Sequence, residues 1–387
     1  MKTPDLPDFN RPVHCLLGLP FDANDLKESV KKVRAAVAGR RQLFISTPNL
    51  NFLVACQSDV AFRRSVIRSD LSLADGMPII WFARLLRVPL PERVAGASLF
   101  ESLSETPIKV GENPISVFFF GGPNGVAKTA CEKLNESTTL PGENPRRGVR
   151  CVGFESPGFG TVEEMSTTTT VQRINDSHAD FVVVSLGARK GQEWIERNRR
   201  QLEAPVISHL GAVVNMVAGT IQRAPRWMQI IGLEWVWRVK EEPSLWRRYF
   251  NDGIALFRLL FTRALPLAWM IRCNRPSPHQ LDHSTVTVSH SEGCTHLSLN
   301  GAWVLQNLLS IRRHLSQASS AQLDIELNLD NLTYADSAFF GLLLIAHGHQ
   351  QSNGRRLSIT AISNRGRQLL HYSCLDFLLI TEEAPSL

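Results

Sequence analysis

No Cys-x-x-Cys pair occurs in the 387 residues, and the seven cysteines, at 15, 56, 131, 151, 273, 294 and 374, are scattered and odd in number. That pattern argues against a zinc ribbon or a disulfide-framed scaffold and predicts reduced thiols in a cytoplasmic protein. There is no G-x-G-x-x-G fingerprint of a dinucleotide-binding oxidoreductase and no Walker phosphate loop. The amino terminus, MKTPDLPDFNRPVHCLLGLP, has acids and prolines where a signal peptide has a continuous apolar core, so export is not expected. A spanning helix needs about 20 predominantly apolar residues. The best candidate, IALFRLLFTRALPLAWMI at 254–271, is broken by Arg258, Arg263 and Pro266, and reads as an interfacial amphipathic segment.

What is present is an ordinary globular composition, 43% hydrophobic and 20% charged, in a length that favours two domains. The formal charge of +6 is concentrated at residues 222–275, which hold ten Lys and Arg against four acids. The same stretch holds five of the eight tryptophans, Trp227, Trp235, Trp237, Trp246 and Trp269. Indole rings and cations together suit a lipid headgroup boundary. Trp235 and Trp237, in a regular apolar run, are expected to pack on the sheet as core anchors. Aromatics and arginines also hold single-stranded nucleic acid, but no nucleic-acid-binding motif accompanies them, and nucleic acid is not an expected partner.

Strand-like runs at 13–18, 43–46, 71–74, 115–120, 151–153, 180–186 and 205–208 alternate with helical patterns, the signature of a parallel α/β sheet. Gly121-Gly122-Pro123-Asn124-Gly125 reads as a tight turn needing positive φ rather than as a phosphate cradle. Residues 135–150, rich in Pro, Gly, Ser, Thr and charge, read as a surface excursion. Asp75 follows the run 71–74 just where a helix with Met77, Ile79, Ile80 and Phe82 begins, so it stands at the carboxyl end of a strand, where open α/β sheets bind ligands. There it could act as a general base, with Arg93 offering a planar fork to an anionic group, or it could cap the helix. Spacing alone leaves both open.

Thr47-Pro48-Asn49, Ala74-Asp75-Gly76, Glu92-Arg93-Val94-Ala95-Gly96, the stretch from Leu186-Gly187 to Gln192-Glu193-Trp194, and Gly232-Leu233-Glu234-Trp235 follow one another along the chain. In this order, over about residues 12–250, the sequence resembles the WecG/TagA/CpsF glycosyltransferases, family 26. The resemblance implies a Rossmann-like catalytic domain over 1–275 whose basic, Trp-rich tail at 222–275 is membrane-proximal. It implies an inverting enzyme that moves a hexose or N-acetylhexosamine-type sugar from a UDP-sugar to an undecaprenyl-diphosphate-linked sugar, in exopolysaccharide or cell-envelope polymer assembly. It further implies Asp75 as the base, a pocket lined by Thr47, Asn49, Arg93 and Gln192, and phosphate contacts from Arg238, Arg247 and Arg248 in the tail. No metal and no cofactor are expected, in keeping with the lack of an Asp-x-Asp, and the implied location is the cytoplasmic face of the inner membrane. The chain departs from the commoner family form at Arg189, where a proline is usual, and at Asn215, where many relatives have an acid; Asn215 is given no catalytic role.

Residues 276–284, PSPHQLDHS, read as a linker. Beyond it, strands at 295–299, 322–329 and 356–361 alternate with helices at 304–316, 338–349 and 365–372, and residues 285–387 resemble a STAS domain, the fold of anti-sigma factor antagonists. Asp336-Ser337 stands at a helix entrance where that family often has its phosphorylatable serine, with Phe339 replacing a usual small residue. Ser337 is thus a phosphorylation candidate or a plain helix cap, and the module implies docking to a protein partner. The alternative to an enzyme is a decayed transferase scaffold acting through this module. The presence of Thr47, Asn49, Asp75, Arg93 and Gln192-Glu193-Trp194 favours the enzyme.

Overall fold

The computed structural model describes residues 7–107, 113–136 and 148–379. Most of the expected excursion at 135–150 lies outside the described residues. In chain order the strands are β1 (Val13–Leu16), β2 (Leu19–Asp22), β3 (Leu43–Ser46), β4 (Leu71–Ser72), β5 (Ile115–Gly121), β6 (Val149–Glu155), β7 (Phe181–Ser185) and β8 (Val206–His209). The carboxy-terminal part adds β9 (Thr285–Ser291), β10 (Cys294–Trp303), β11 (Asp324–Leu329), β12 (Leu332–Ala335) and β13 (Leu357–Ile362).

Six strands form one parallel sheet in the order β4-β3-β8-β7-β5-β6. A parallel sheet is covered on both faces, which is why the centres of β5 and β7, Val117–Phe120 and Phe181–Val184, are apolar without a break. Along β5 the side chains alternate between two cores. Val117 and Phe119 join Val183 and Val206 on one face, while Phe118 and Phe120 join Val182, Val184 and Trp194 on the other. Trp194 is fully buried, stacks on Phe120 with ring centroids 4.2 Å apart and donates to the Met165 carbonyl at 2.9 Å. Gly121, Gly122 and Gly125 all have positive φ, as the tight-turn reading requires.

The run at 13–18 does not join this sheet. β1 and β2 pair antiparallel as a separate hairpin, because a short apolar run carries no period that distinguishes a sheet strand from a hairpin buried between other layers. Arg11 holds Asp22 through two 2.7 Å bonds and also donates to the Ser69 carbonyl; Asp22 in turn accepts from the Ser72 N–H at 2.7 Å. This buried ion pair pins the hairpin to β4.

In the carboxy-terminal part the order is β12-β10-β11-β13, all parallel, with β9 antiparallel on β10. β9 and β12 had no counterpart in the sequence reading. The helix Ser337–Ser352 is buried nearly all round, since its own sheet covers one side and the hairpin the other. Two glycines a heptad apart make the approach close: a Cβ at Gly341 would lie 2.6 Å from the Val13 carbonyl, and one at Gly348 would lie 2.8 Å from Ile67 Cγ2. One apolar core therefore runs from Leu16, Phe21 and Phe62 through Phe339 and Leu343 to Leu297 and Leu327.

The tail forms helices Arg226–Ile231 and Glu234–Glu241, then a nearly continuous helix from Trp246 to Cys273 with one wider turn at Leu260–Ala264. Leu259, Ala264, Leu267 and Ala268 enter the shared core. Arg263 bonds the His371 carbonyl and pairs with Asp376, tying the helix to the carboxy-terminal domain. The opposite side leaves Trp246, Phe250, Ile254, Phe257, Phe261, Leu265 and Trp269 exposed, at spacings of three or four residues. Trp235 is not the expected core anchor: it is 49% exposed beside Tyr249, and the helix Glu234–Glu241 has no buried residue. Trp237 is half-buried and donates to the Gln222 carbonyl. An apolar period marks a face that meets something, not what it meets.

The cysteine expectation also needs correction. Cys131, on the helix Val126–Glu136, forms a disulfide with Cys151 on β6. The partners are 20 residues apart in sequence and meet because the helix packs back on the strand, where Asn135 bonds both the N–H and the carbonyl of Cys151. Cys15, Cys56, Cys273, Cys294 and Cys374 are free.

Candidate active site

Three loops meet at the carboxyl edge of the parallel sheet. The Asp75 N–H donates to the Pro48 carbonyl at 3.0 Å, the Leu73 N–H to Ser46 at 2.9 Å and the Val94 N–H to Ala74 at 2.9 Å, so the motifs after β3, after β4 and around Arg93 are laced side by side by backbone bonds. Asn49 caps the helix Leu50–Ala55, accepting from the Phe52 N–H at 3.2 Å. Thr47 is buried against Gly96, where an added Cβ would stand 3.5 Å from its Oγ1 and 2.5 Å from Leu210 Cδ2. The Thr47 distance is ordinary contact, so the crowding at the start of the helix Gly96–Glu105 comes from the Leu210 side chain, which would have to shift for any larger residue.

Asp75 does not act as a cap. The helix Met77–Leu85 is preceded by Gly76, at φ 102°, and has no side-chain cap bond; among the described residues the Asp75 carboxylate accepts no hydrogen bond. Burial pushes the Asp75 pKa up to about 6, the Glu234 carboxylate adds to the rise, and Arg93, Arg238 and Arg223 oppose it. A carboxylate left without hydrogen bonds, tuned towards neutrality and faced by cations is poised to take a proton.

The tail supplies much of this setting. Glu234, the first residue of Glu234–Glu241, pairs with Arg93 at 2.7 Å, and a Cβ at Gly232 would lie 2.9 Å from Met77 Cβ, so the tail closes against the helix that follows Asp75. Arg238 lies on that same tail helix, while Arg223 donates to Ser98 Oγ at 2.6 Å and pairs with Glu101. Arg247 and Arg248 are placed differently. Both are exposed, over the rings of Trp246 and Tyr249 respectively. Gln192, on Ala188–Asn198, is fully buried and donates to Ser46 Oγ at 3.1 Å, bracing the end of β3.

Residues 14–268 match the glycosyl transferase WecG/TagA/CpsF family. The chain belongs to that family. Residues 286–381 match the Mlab, STAS domain family. Among curated relatives, the N-acetylglucosaminyldiphosphoundecaprenol N-acetyl-beta-D-mannosaminyltransferase of Staphylococcus aureus strain MW2 is 25% identical over 236 residues, 60% of this chain and 85% of its own. The protein of the same name from strain NCTC 8325 / PS 47 is 25% identical over 226 residues, 58% of this chain and 82% of its own.

For this glycosyltransferase, sequence reasoning missed two charged neighbours of Asp75. Glu234 lies within a quoted motif, but a carboxylate is not an obvious choice beside a site read as binding anions. Arg223 had no signal beyond the local basic composition. Both acquire meaning only when the tail folds back. If Asp75 is the base, kcat/KM should rise with pH through about 6 and level off above it, because only the ionised carboxylate accepts a proton. Glu234→Gln removes a neighbouring negative charge, so the acid limb should move to lower pH. A pH–rate profile unchanged by Glu234→Gln would count against this electrostatic assignment.

Proposed function

We propose that this glycosyltransferase moves an N-acetylhexosamine of the mannosamine configuration from its UDP donor to undecaprenyl-diphosphate-linked N-acetylglucosamine, with inversion and without a metal, in cell-envelope polymer assembly. The observation that carries this reading is Asp75, whose carboxylate accepts no hydrogen bond among the described residues and whose pKa is raised to about 6, with Arg93, Arg223 and Arg238 as its neighbouring cations at the carboxyl edge of the sheet. Asp75 takes the proton of the acceptor hydroxyl as its oxygen attacks the anomeric carbon, and the bond to UDP breaks on the opposite face. Arginines then meet the charge that develops on the departing diphosphate. The names of the staphylococcal relatives support the choice of donor and acceptor. Thr47 and Asn49 border the sugar, and the diphosphate competes with Glu234 for Arg93. The test is transfer from a panel of labelled UDP-sugars to synthetic undecaprenyl-diphosphate-N-acetylglucosamine in EDTA. A product from UDP-N-acetylmannosamine supports the reading; activity with another donor alone, or only after a divalent metal is added, overturns the corresponding part.

The exposed aromatic stripe is proposed to lie in the cytoplasmic headgroup layer of the inner membrane, bringing Asp75 to a lipid-borne acceptor. Pro243–Cys273 is long and apolar enough to cross a bilayer. However, Leu259, Ala264, Leu267 and Ala268 are packed in the shared core, and spanning would strip them from it. Interfacial seating keeps the core and buries the other face, with Arg247, Arg248 and Arg258 available to lipid phosphate. Burying one Phe contributes about 1.5–3 kcal/mol, so Phe257→Ser with Phe261→Ser should weaken binding to anionic vesicles about tenfold or more in a flotation assay. Undiminished flotation would remove this helix from the membrane contact.

The STAS-like module is proposed to dock on its own catalytic domain. Ser337 Oγ lies 2.9 Å from His14 Nδ1, and burial, aided by the nearby Arg312 cation and opposed by Asp22, pulls the His14 pKa down to about 4, so the ring is neutral where it meets Ser337. Gly341→Leu overfills this contact and should cost about 1–3 kcal/mol in chemical denaturation. Wild-type stability in that variant would mean the contact does not form in solution.

A further inference from the structure

The free cysteine of β10 has a histidine and a glutamate, both of metal-ligand type, as neighbours. Cys294 and His296 are alternate residues of one strand and so share a face. Glu326 on β11 is the parallel partner of His296, and Ser291 on β9 is the antiparallel partner of Cys294, which brings side chains from three strands together. The intervening residues, Thr295, Leu297, Ile325 and Leu327, are buried beneath the sheet, whereas Cys294, His296 and Glu326 stand on its partly open side. Their sulfur, ring nitrogen and carboxylate oxygen all lie within 4.8 Å of one another. The ring is oriented from both ends: His296 Nδ1 is 2.9 Å from Glu326 Oε2, and Nε2 is 2.7 Å from Ser291 Oγ. A hydroxyl on the outer nitrogen is the kind of support that fixes a ligating imidazole.

We propose that Cys294, His296 and Glu326 bind one zinc-class divalent cation on the open face of the carboxy-terminal sheet, clipping β10 to β11. One thiolate, one imidazole and one carboxylate form a mixed sulfur, nitrogen and oxygen set that suits zinc or cobalt and is too soft and too small for magnesium or calcium. Ligand bonds of about 2.0–2.3 Å put tetrahedral donor atoms about 3.3–3.7 Å apart, so the 2.9 Å His296–Glu326 contact opens slightly to admit the ion and small side-chain rotations place the sulfur, without a change of strand register. The fourth position is left to water. Binding displaces the thiol proton to solvent, so affinity rises with pH. None of these residues belongs to the loops that carry Asp75, and the site has no part in sugar transfer.

The test uses the metal-free full chain, with the Cys131–Cys151 disulfide intact, titrated with Co²⁺ and followed by the thiolate-to-cobalt charge-transfer band and the visible bands of a four-coordinate ion. One equivalent should bind with both signals and be displaced by Zn²⁺. Cys294→Ser should abolish the charge-transfer band, and His296→Asn should weaken binding about tenfold or more, while Cys273→Ser, which removes the exposed cysteine, should leave both intact. Zn²⁺ should also raise the melting temperature of wild type but not of His296→Asn. Absence of a charge-transfer band in wild type, its survival in Cys294→Ser, or its loss in Cys273→Ser would each overturn the assignment. These readouts do not depend on transferase activity.

Discussion

Replacing Asp75 by asparagine is expected to lower kcat about 10²- to 10⁴-fold, the range lost when a positioned general base is removed. Asparagine keeps the shape and removes the basic site, so the folded structure should persist. The stability sign distinguishes this from damage. A carboxyl group raised to about 6 in the folded chain holds its proton more tightly there than when unfolded. Its contribution to stability is full below the unfolded value near 3.8 and lost as pH rises through about 6, leaving an ionised, half-buried group at neutral pH. Neutral asparagine carries no such cost, and Asp75→Asn should melt at or above the wild-type temperature at pH 7. Loss of turnover with retained stability supports a base. Turnover within about tenfold of wild type would remove Asp75 from that role.

Asp22→Ala should have the largest effect on stability, about 3–5 kcal/mol, because it strands the buried Arg11 guanidinium. The variant also deprives the Ser72 N–H of its acceptor at the start of the segment that ends in Asp75. Arg11→Met combined with Asp22→Leu should recover much of the loss, since the ion pair's desolvation is removed along with its attraction. Denaturant midpoints measure both. A double variant as unstable as Asp22→Ala would show that the hydrogen bonds to Ser69 and Ser72 matter more than the charges.

The α/β sheet was legible because the strand centres Val117–Phe120 and Phe181–Val184 are apolar throughout, the pattern of strands covered on both faces. The ordered motifs singled out Thr47, Asn49, Asp75 and Arg93, and backbone bonds bring Asp75 beside both the Thr47–Asn49 turn and the Arg93 segment. Whether Asp75 capped its helix was not legible; that required seeing Gly76 precede the helix with no side-chain cap bond. Features depending on distant partners were also hidden. His14 and Ser337 are 323 residues apart, and Glu234 meets Arg93 across 141. Local periodicity carries no trace of such pairings, and the same blindness explains the errors at Trp235 and at Cys131 with Cys151. Gly341 and Gly348, one heptad apart on a helix otherwise rich in apolar residues, were the one local hint that a second surface presses on it.

The seam between the helix Ser337–Ser352 and the β1–β2 hairpin has a thermodynamic consequence. Neither half of the chain has a complete interior without the other, because Phe339, Leu343, Leu16 and Phe21 fill the same space. The two halves should therefore unfold cooperatively, as one unit, although their sheets are separate. Cutting the connector at 276–284 would break the chain without dividing the fold, and the energy that holds the carboxy-terminal half in place would also brace the helix from Trp246 to Cys273, whose Leu259, Ala264, Leu267 and Ala268 share that interior.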